Sequence, residues 1–354
     1  MITSLYIHIP FCKNICSYCD FSKMYYKEDI VSNYLDALEK EINLYFCGDG
    51  LKTLYIGGGT PSSLSMDMLD KLFSILKRFK FYDKYEFTFE CNIEDITEEL
   101  LSFLKDNRVN RLSIGVESFN KKILKFLNRN ISVDIDKKIK LAKKYFSNIN
   151  IDLIFGINGF SMEDLEEDLD KFLSYDLSHI SIYSLILEDN TMLKINNYEK
   201  IDDDLSSDMY YFICDTLEKN GYKHVEISNF CKEGFEPMHN LVYWNNEKYY
   251  GFGLGAGGFI DNIRYTNTRS INNYLDGKYR YEETIVTKEI DMSNEMILGL
   301  RKIEGVSRKE FNDKFNCSIE DVFDTHLLKK NKDYYYIDKN NLYTSNYILK
   351  DFIL

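Results

Sequence analysis

The first half of the chain alternates short β-like runs with helix-like runs, and that alternation restricts the folds open to it. Runs rich in β-branched and aromatic residues occur at 4–9, 53–56, 86–91, 111–116, 150–156 and 179–187. Between them, Leu35, Leu38, Ile42 and Tyr45 recur at helical spacing. So do Leu69, Leu72, Phe73 and Leu76, which follow an N-cap candidate at Ser65, and Met162, Leu165, Leu169, Phe172 and Leu173. Parallel neighbours need crossover connections, usually helices, so six alternating units predict a parallel α/β sheet. Six units fit a partial, TIM-like (β/α)6 barrel better than a complete barrel, which needs eight. Either form places its chemistry at the C-terminal ends of the strands.

Beyond about residue 190 the rhythm changes. A helix over 205–219, a strand over 224–227 and a glycine- and aromatic-rich segment over 249–259 are expected next. From about Thr287 the sequence reads as two helices and then a hairpin, with strands at 334–337 and 342–344. The expected division is therefore 1–190 for the partial barrel with its metal site, 191–286 for a barrel extension, and 287–354 for a small α+β, winged-helix-like module.

The formal net charge is −13, which disfavours a nucleic-acid partner because an acidic surface repels phosphate. The lysine pairs at 137–138, 143–144 and 329–330 are interleaved with acids and read as solvated helix faces. No stretch reaches the roughly 20 apolar residues that span a bilayer. The first residues run straight into a strand without a basic leader, so a cytoplasmic location is expected.

Of the eight cysteines, three cluster in the segment Phe-Cys-Lys-Asn-Ile-Cys-Ser-Tyr-Cys-Asp-Phe at 11–21. Disulfide frameworks belong to small secreted domains, so Cys12, Cys16 and Cys19 are read as metal ligands. Structural zinc would need a fourth ligand, and none follows at zinc-finger spacing; His8 precedes the cluster on a strand. Three thiolates instead suit a [4Fe–4S] cube with one iron left open. An open iron can chelate the amino and carboxylate groups of S-adenosylmethionine (SAM).

Other residues surround this site in the expected fold. Gly57-Gly58-Gly59-Thr60-Pro61 ends the second strand, where glycines let backbone approach a ligand, although such a run is often only a turn. Glu90, Glu117 and Asp152 lie on three further strands, with Arg129 after the fourth. Buried acids require partners, which here are either a ligand's hydroxyls and ammonium or a structural ion pair. His239-Asn240-Leu241-Val242-Tyr243-Trp244 holds one of five histidines and the only tryptophan. That histidine is either a haem ligand or a hydrogen-bonded core residue.

With these motifs in place, the sequence resembles the oxygen-independent coproporphyrinogen III oxidase-like branch of radical SAM proteins. The matching segments are 6–12, 57–64, 109–119, 150–156, 179–185, 239–244 and 251–257. Within the branch it looks most like the haem chaperones, because Asp20-Phe21 follows the third cysteine where the oxidases carry Gly-Cys. The resemblance implies a radical SAM barrel, a [4Fe–4S] cluster, SAM and haem. It assigns Tyr6, Gly59, Thr60, Glu90, Glu117, Arg129 and Asp152 to SAM and His239 to haem. Three departures stand out: Glu117 replaces the usual Gln, Gly156-Ile157-Asn158 replaces Gly-Leu-Pro, and Asn130-Ile131 follow Arg129 where a histidine is usual.

The resemblance implies haem delivery to an acceptor protein, with a low-potential electron donor, and it allows peripheral membrane contact. The competing readings are radical decarboxylation of coproporphyrinogen III to protoporphyrinogen IX and radical chemistry on an unrelated substrate. The cysteine reading makes one direct prediction. Alanine at Cys12, Cys16 and Cys19 together should reduce iron to background after anaerobic reconstitution, measured by iron assay and electron paramagnetic resonance; wild-type iron content in that variant would refute it.

Overall fold

The computed structural model describes residues 1–48, 50–129 and 131–354. Nine strands form one sheet: β1 (Ser4–Ile9), β2 (Leu51–Gly58), β3 (Phe81–Asn92), β4 (Arg111–Glu117), β5 (Asn148–Phe155), β6 (His179–Ser184), β7 (Lys223–Glu226), β8 (Asn229–Cys231) and β9 (Tyr250–Phe252). Their order is β9-β1-β2-β3-β4-β5-β6-β8-β7. The six expected strands are consecutive parallel neighbours. Two additions extend them. β9 adds a seventh parallel strand beside β1, and β8 and β7 form an antiparallel pair beyond β6. The order is linear, so the barrel is open between its two edges.

The strands are two-faced. One face carries Leu5, Ile7, Leu54, Ile56, Phe87, Phe89, Leu112, Ile114, Ile151 and Ile180, all buried under helices. The other carries Tyr6, His8, Tyr55, Glu90, Arg111, Ser113, Asn150, Asp152 and Ser181, so the barrel lumen is polar. The covering helices include α1 (Glu28–Tyr45), α2 (Met66–Leu76), α3 (Glu98–Asp106), α4 (Ile135–Tyr145), α5 (Met162–Ser174) and α6 (Asp203–Lys219). Val31, Leu35, Leu38 and Ile42 make the buried stripe of α1, at the spacing that places side chains on one helix face. A reciprocal cap between Ser161 and Asp164 starts α5. Ser65 does stand at the N-cap of α2, but its hydroxyl donates to Glu28 at 2.9 Å instead of closing the helix end.

Two expectations need correction. The sixth strand ends at Ser184, not at 187, because its partner β5 ends at Phe155 and the chain turns at Gly156, whose φ is +73°. Residues 185–187 leave the sheet at the open end of the barrel. The second correction concerns the C-terminal hairpin. After α7 (Met238–Trp244), the strands β10 (Gly257–Ile260), β11 (Ile263–Asn267) and β12 (Arg280–Ile285) form an antiparallel sheet. The C-terminal part then holds α8 (Lys288–Gly299), β13 (Val306–Ser307), α9 (Arg308–Phe315), β14 (Lys329–Lys330) and β15 (Tyr334–Tyr336). β15 pairs with β13 and β14, and 342–344 form no strand. The Asp338 carboxylate accepts from the Asn340 N–H at 3.0 Å and starts a helical turn, which draws Leu342 away from an extended conformation.

A buried carboxylate ties α1 to this second half. Glu41 accepts from Gly253 N at 2.8 Å, Asn267 Nδ2 at 2.6 Å and the Tyr274 hydroxyl at 2.6 Å. Burial pushes its carboxyl up to about 7, against those hydrogen bonds. Because the folded value is raised, the protonated form contributes stability fully below the ordinary carboxyl range, and that contribution is lost as pH rises through about 7. Urea unfolding at pH 5 and pH 8 should therefore show a smaller stability loss for Glu41→Gln than for wild type, by on the order of 3 kcal/mol. Identical pH dependence would remove this role for Glu41.

Candidate functional site

The chain after β1 turns at the C-terminal end of the barrel and carries the three cysteines around one wall of a cavity of about 570 Å³. Gly58, Gly59, Thr60, Glu90, Glu117, Arg129 and Asp152 line the same cavity. It is bordered also by Tyr183, near the end of β6, and by Leu185 and Ile186, which leave the sheet after it. The expected position at the strand C-termini is where the structure puts it.

The glycine run serves close approach. Gly58 has φ +122°, a conformation open to glycine and strained for other residues. A Cβ on Gly59 would lie 2.9 Å from the Cys12 sulfur and 2.8 Å from the Pro10 carbonyl carbon. Gly59 N and Thr60 N donate to the Ile9 and Phe11 carbonyls, both at 2.9 Å, which straps this loop to the strand entering the cysteine segment. The Thr60 hydroxyl points to the Cys12 sulfur at 3.5 Å. Burial raises all three thiols above their ordinary range, Cys16 to about 11.

The acids are held by specific donors. Glu90 accepts from the Tyr55 hydroxyl at 2.7 Å and from Gly58 N at 2.9 Å; burial pushes its carboxyl up to about 7. Asp152 accepts from Ser113 at 3.1 Å and Asn150 at 2.8 Å, and burial raises it too. Glu117 has φ +65° beside an irregularity in the β4–β5 register, a costly conformation for a residue with a side chain. It is secured by the Tyr18 hydroxyl at 2.6 Å and by Arg129 at 3.3 Å. Arg129 further donates to Asn92 at 2.8 Å and to the Gly115 carbonyl at 2.6 Å. The ion-pair alternative thus describes Glu117 and Arg129, whereas Glu90 and Asp152 have neutral partners.

Tyr6, which the resemblance assigns to SAM, stands outside the cavity wall. Tyr6 bonds His8 Nδ1 at 2.9 Å, while His8 Nε2 donates to the Ser22 carbonyl at 2.7 Å. His8 is therefore engaged at both nitrogens and supplies no fourth ligand to the cysteines. Among the described residues, no three Cys, His, Asp or Glu side chains gather tightly enough for a single metal ion. Thiols set around a wall, next to a glycine that clears Cys12, fit a multinuclear cluster with one iron per thiolate.

His239 lies elsewhere. It sits on α7 against Thr53, five residues before Gly58 on β2, or about 17 Å along the strand from the glycine end. Its Nδ1 meets the Thr53 hydroxyl and its Nε2 the Tyr243 hydroxyl, both at 2.8 Å, and burial lowers its ring to about 3. As folded, both ring nitrogens are hydrogen-bonded, as in a core histidine, and an iron at Nε2 would take the place of the Tyr243 hydroxyl. Its ring packs on Tyr55 at 5.2 Å between centroids, so it supports the hydroxyl that holds Glu90.

The sequence reasoning missed Tyr18, Tyr55, Asn92 and Ser113. Tyr55 and Ser113 carried a readable signal, the period-two alternation that puts them on the face of Glu90; Tyr18 and Asn92 depend on how loops meet. In the variant loop, Asn158 N donates to the Tyr198 hydroxyl and its side chain reaches the Glu199 carbonyl at 3.4 Å. Asn130 falls outside the described residues.

Residues 6–172 match the radical SAM superfamily. Relatives extend along nearly the whole chain. The haem chaperone HemW of Lactococcus lactis is 39% identical over 97% of this chain and 93% of its own length. HemW of Bacillus subtilis is 39% identical over 92% and 90%, and HemW of Escherichia coli 31% over 99% and 98%. The solved coproporphyrinogen III oxidase HemN of Escherichia coli, a radical SAM enzyme, shares the fold, with a TM-score of 0.87 over 99% of this chain and 90% of its own at 20% identity. The chain is a radical SAM protein. It belongs to the HemW haem chaperone family.

The Glu117–Arg129 pair is only 10% and 6% exposed at its side chains. Removing one partner of a buried pair strands the other charge. Arg129→Met should lower unfolding stability by on the order of 3 kcal/mol in anaerobic urea titrations, with partial recovery in Arg129→Met/Glu117→Gln. Additive losses in the double variant would mean the two groups act independently.

Proposed function

We propose that this protein is a haem chaperone that holds a [4Fe–4S] cluster at Cys12, Cys16 and Cys19 and SAM in the adjoining cavity. The observation that carries the reading is the 39% identity with the Lactococcus haem chaperone across nearly both chains. The likeness to the oxidase, at 20% identity, supports a shared fold. When bound, the cluster and SAM supply one-electron cleavage of the sulfonium to methionine and a 5′-deoxyadenosyl radical.

This chain's own residues have separable tasks in the reading. Glu90 and Asp152 each accept neutral hydrogen bonds and keep further lone pairs for a ligand's hydroxyls or ammonium. Arg129 spends its terminal nitrogens on Asn92, Gly115 and Glu117, so it orients Glu117 and compensates its charge. Gly59 and Thr60 set the backbone against the cysteine loop. Tyr6 acts at one remove, by fixing His8 under that loop. A haem-accepting protein and a low-potential electron donor complete the proposal, together with action in the cytoplasm. No helix among the described residues is long and apolar enough to cross a membrane.

The deciding experiment incubates cluster-reconstituted protein anaerobically with SAM, a reductant and coproporphyrinogen III, beside a haem titration. The expected result is saturable, stoichiometric haem binding with no protoporphyrinogen formed. Protoporphyrinogen appearing in step with methionine would establish the oxidase instead.

A further inference from the structure

The floor of the barrel holds a buried cation without an acid beside it. Arg111 opens β4 and His179 opens β6, so both stand at the N-terminal end of the sheet, opposite the cysteines. Arg111 is only 1% exposed and His179 is buried outright. The guanidinium donates from Nη2 to His179 Nδ1 at 2.7 Å and from Nη1 to the Thr88 hydroxyl at 3.3 Å, both neutral partners. Among the described residues it has no carboxylate within 4.0 Å. Burial, and then the charge of Arg111, hold the His179 ring well below its ordinary range, so it is neutral. Because its Nδ1 accepts from arginine, its proton sits on Nε2.

That His179 Nε2 and the Nε of Arg111 are both buried without an acceptor. Asn150 Oδ1, the register neighbour of His179, meets neither of them. Native structures rarely leave a buried donor unmade, and a buried charge without a counter-charge is costlier still. Two spare donors on touching side chains, one of them a cation, match an anion. The same floor carries His239. Thr88 donates to Glu86 at 3.1 Å, and Glu86 accepts from the His239 N–H at 3.2 Å, so three hydrogen bonds in series join Arg111 to α7. Glu86 is occupied by those donors and by the Met238 N–H, and is not left to neutralise Arg111. After burial, the charge of Arg111 is what lowers the His239 ring, which places the two within electrostatic reach.

We propose that the barrel floor reads a haem carboxylate: Arg111 takes a propionate when the iron is bound at His239. Haem carries its carboxylates at the ring edge, and a guanidinium fork matches a carboxylate in charge and in geometry. Arg111 and His239 are each 1% exposed, so haem reaches them as α7 moves aside and the iron replaces the Tyr243 hydroxyl at Nε2. This inference rests on the haem-chaperone reading and on the assignment of His239 to haem, and it adds the residue that anchors the propionate.

The test titrates haem, and separately haem dimethyl ester, into cluster-reconstituted protein while the Soret band is followed. Iron content and circular dichroism check each variant. Arg111→Met fills similar space without charge; it should weaken haem about tenfold and leave the ester, which lacks free carboxylates, unchanged. Arg111→Lys keeps a cation but loses the fork, and should weaken haem several-fold, again without effect on the ester. His239→Ala should shift the Soret band. Wild-type haem affinity in Arg111→Met, or equal losses for haem and ester, would overturn the subsite while the chaperone reading stands. If Arg111→Met does not fold, Arg111→Lys decides by the same comparison: a loss for haem alone upholds the subsite, and no loss or equal losses overturn it. A Soret band unmoved by His239→Ala would also overturn it, by taking the iron away from α7. Absence of haem binding to the wild type would instead remove the chaperone reading, and this subsite with it.

Discussion

A belt of hydrogen bonds between inward-facing side chains holds the polar lumen together. The Asn150 amide lies 2.9 Å from the hydroxyls of Ser113 and Ser181 and 2.8 Å from Asp152. Ser181 in turn donates to Asn229 at 2.9 Å, and Asn229 bonds Glu226. The belt therefore runs from β4 across β5, β6 and β8 to β7. A sheet covered by helices on one face usually fills its other face with apolar side chains. Here that second face is polar, and its stability depends on each buried group finding a partner.

That belt also determines where ligand-facing groups can exist. Acids in register with it, Glu90 beside Ser113 and Asp152 beside Ser181, reach the cavity while their inner atoms rest on hydroxyls and amides. The floor below is closed by α7, where Glu86 accepts from the N–H groups of Met238 and His239 at 2.8 and 3.2 Å. The same side of the sheet thus provides a rigid floor, a hydrogen-bonded middle and an open top. The cysteine loop completes the top because His8 and the Gly59 strap moor its two ends. Its middle is fastened to the neighbouring loops, with Ser17 N donating to Leu127 O at 3.1 Å and Asn128 to Ile15 O at 2.9 Å.

Much of the scaffold was legible because apolar periodicity reports burial, and burial is local to a strand or helix face. The parallel strands were found within a few residues, and β1 at its observed limits. The three-residue β8 and β9 were not, since strands so short carry almost no period. The failure at 342–344 has the same origin: a cap from Asp338 overrode a β-like composition. The cysteines, the glycine run and the acids were recognisable from residue type and spacing alone.

Sequence by itself determined the covalent inventory of the site: three thiols at a fixed spacing, a glycine-rich strand end, and acids on three successive strands. It also determined family, because those motifs recur along the whole chain. Only the tertiary structure decided which polar groups are free. His239 and His8 look alike as candidate ligands in the sequence, and both prove committed at both ring nitrogens. Arg129 is likewise bound to Glu117 and backbone, whereas Arg111, unremarked in the sequence, stands buried in the barrel floor with only neutral partners. The physical reason is that ligand availability depends on hydrogen-bond partners contributed by distant strands and loops, and those neighbours exist only once the chain has folded.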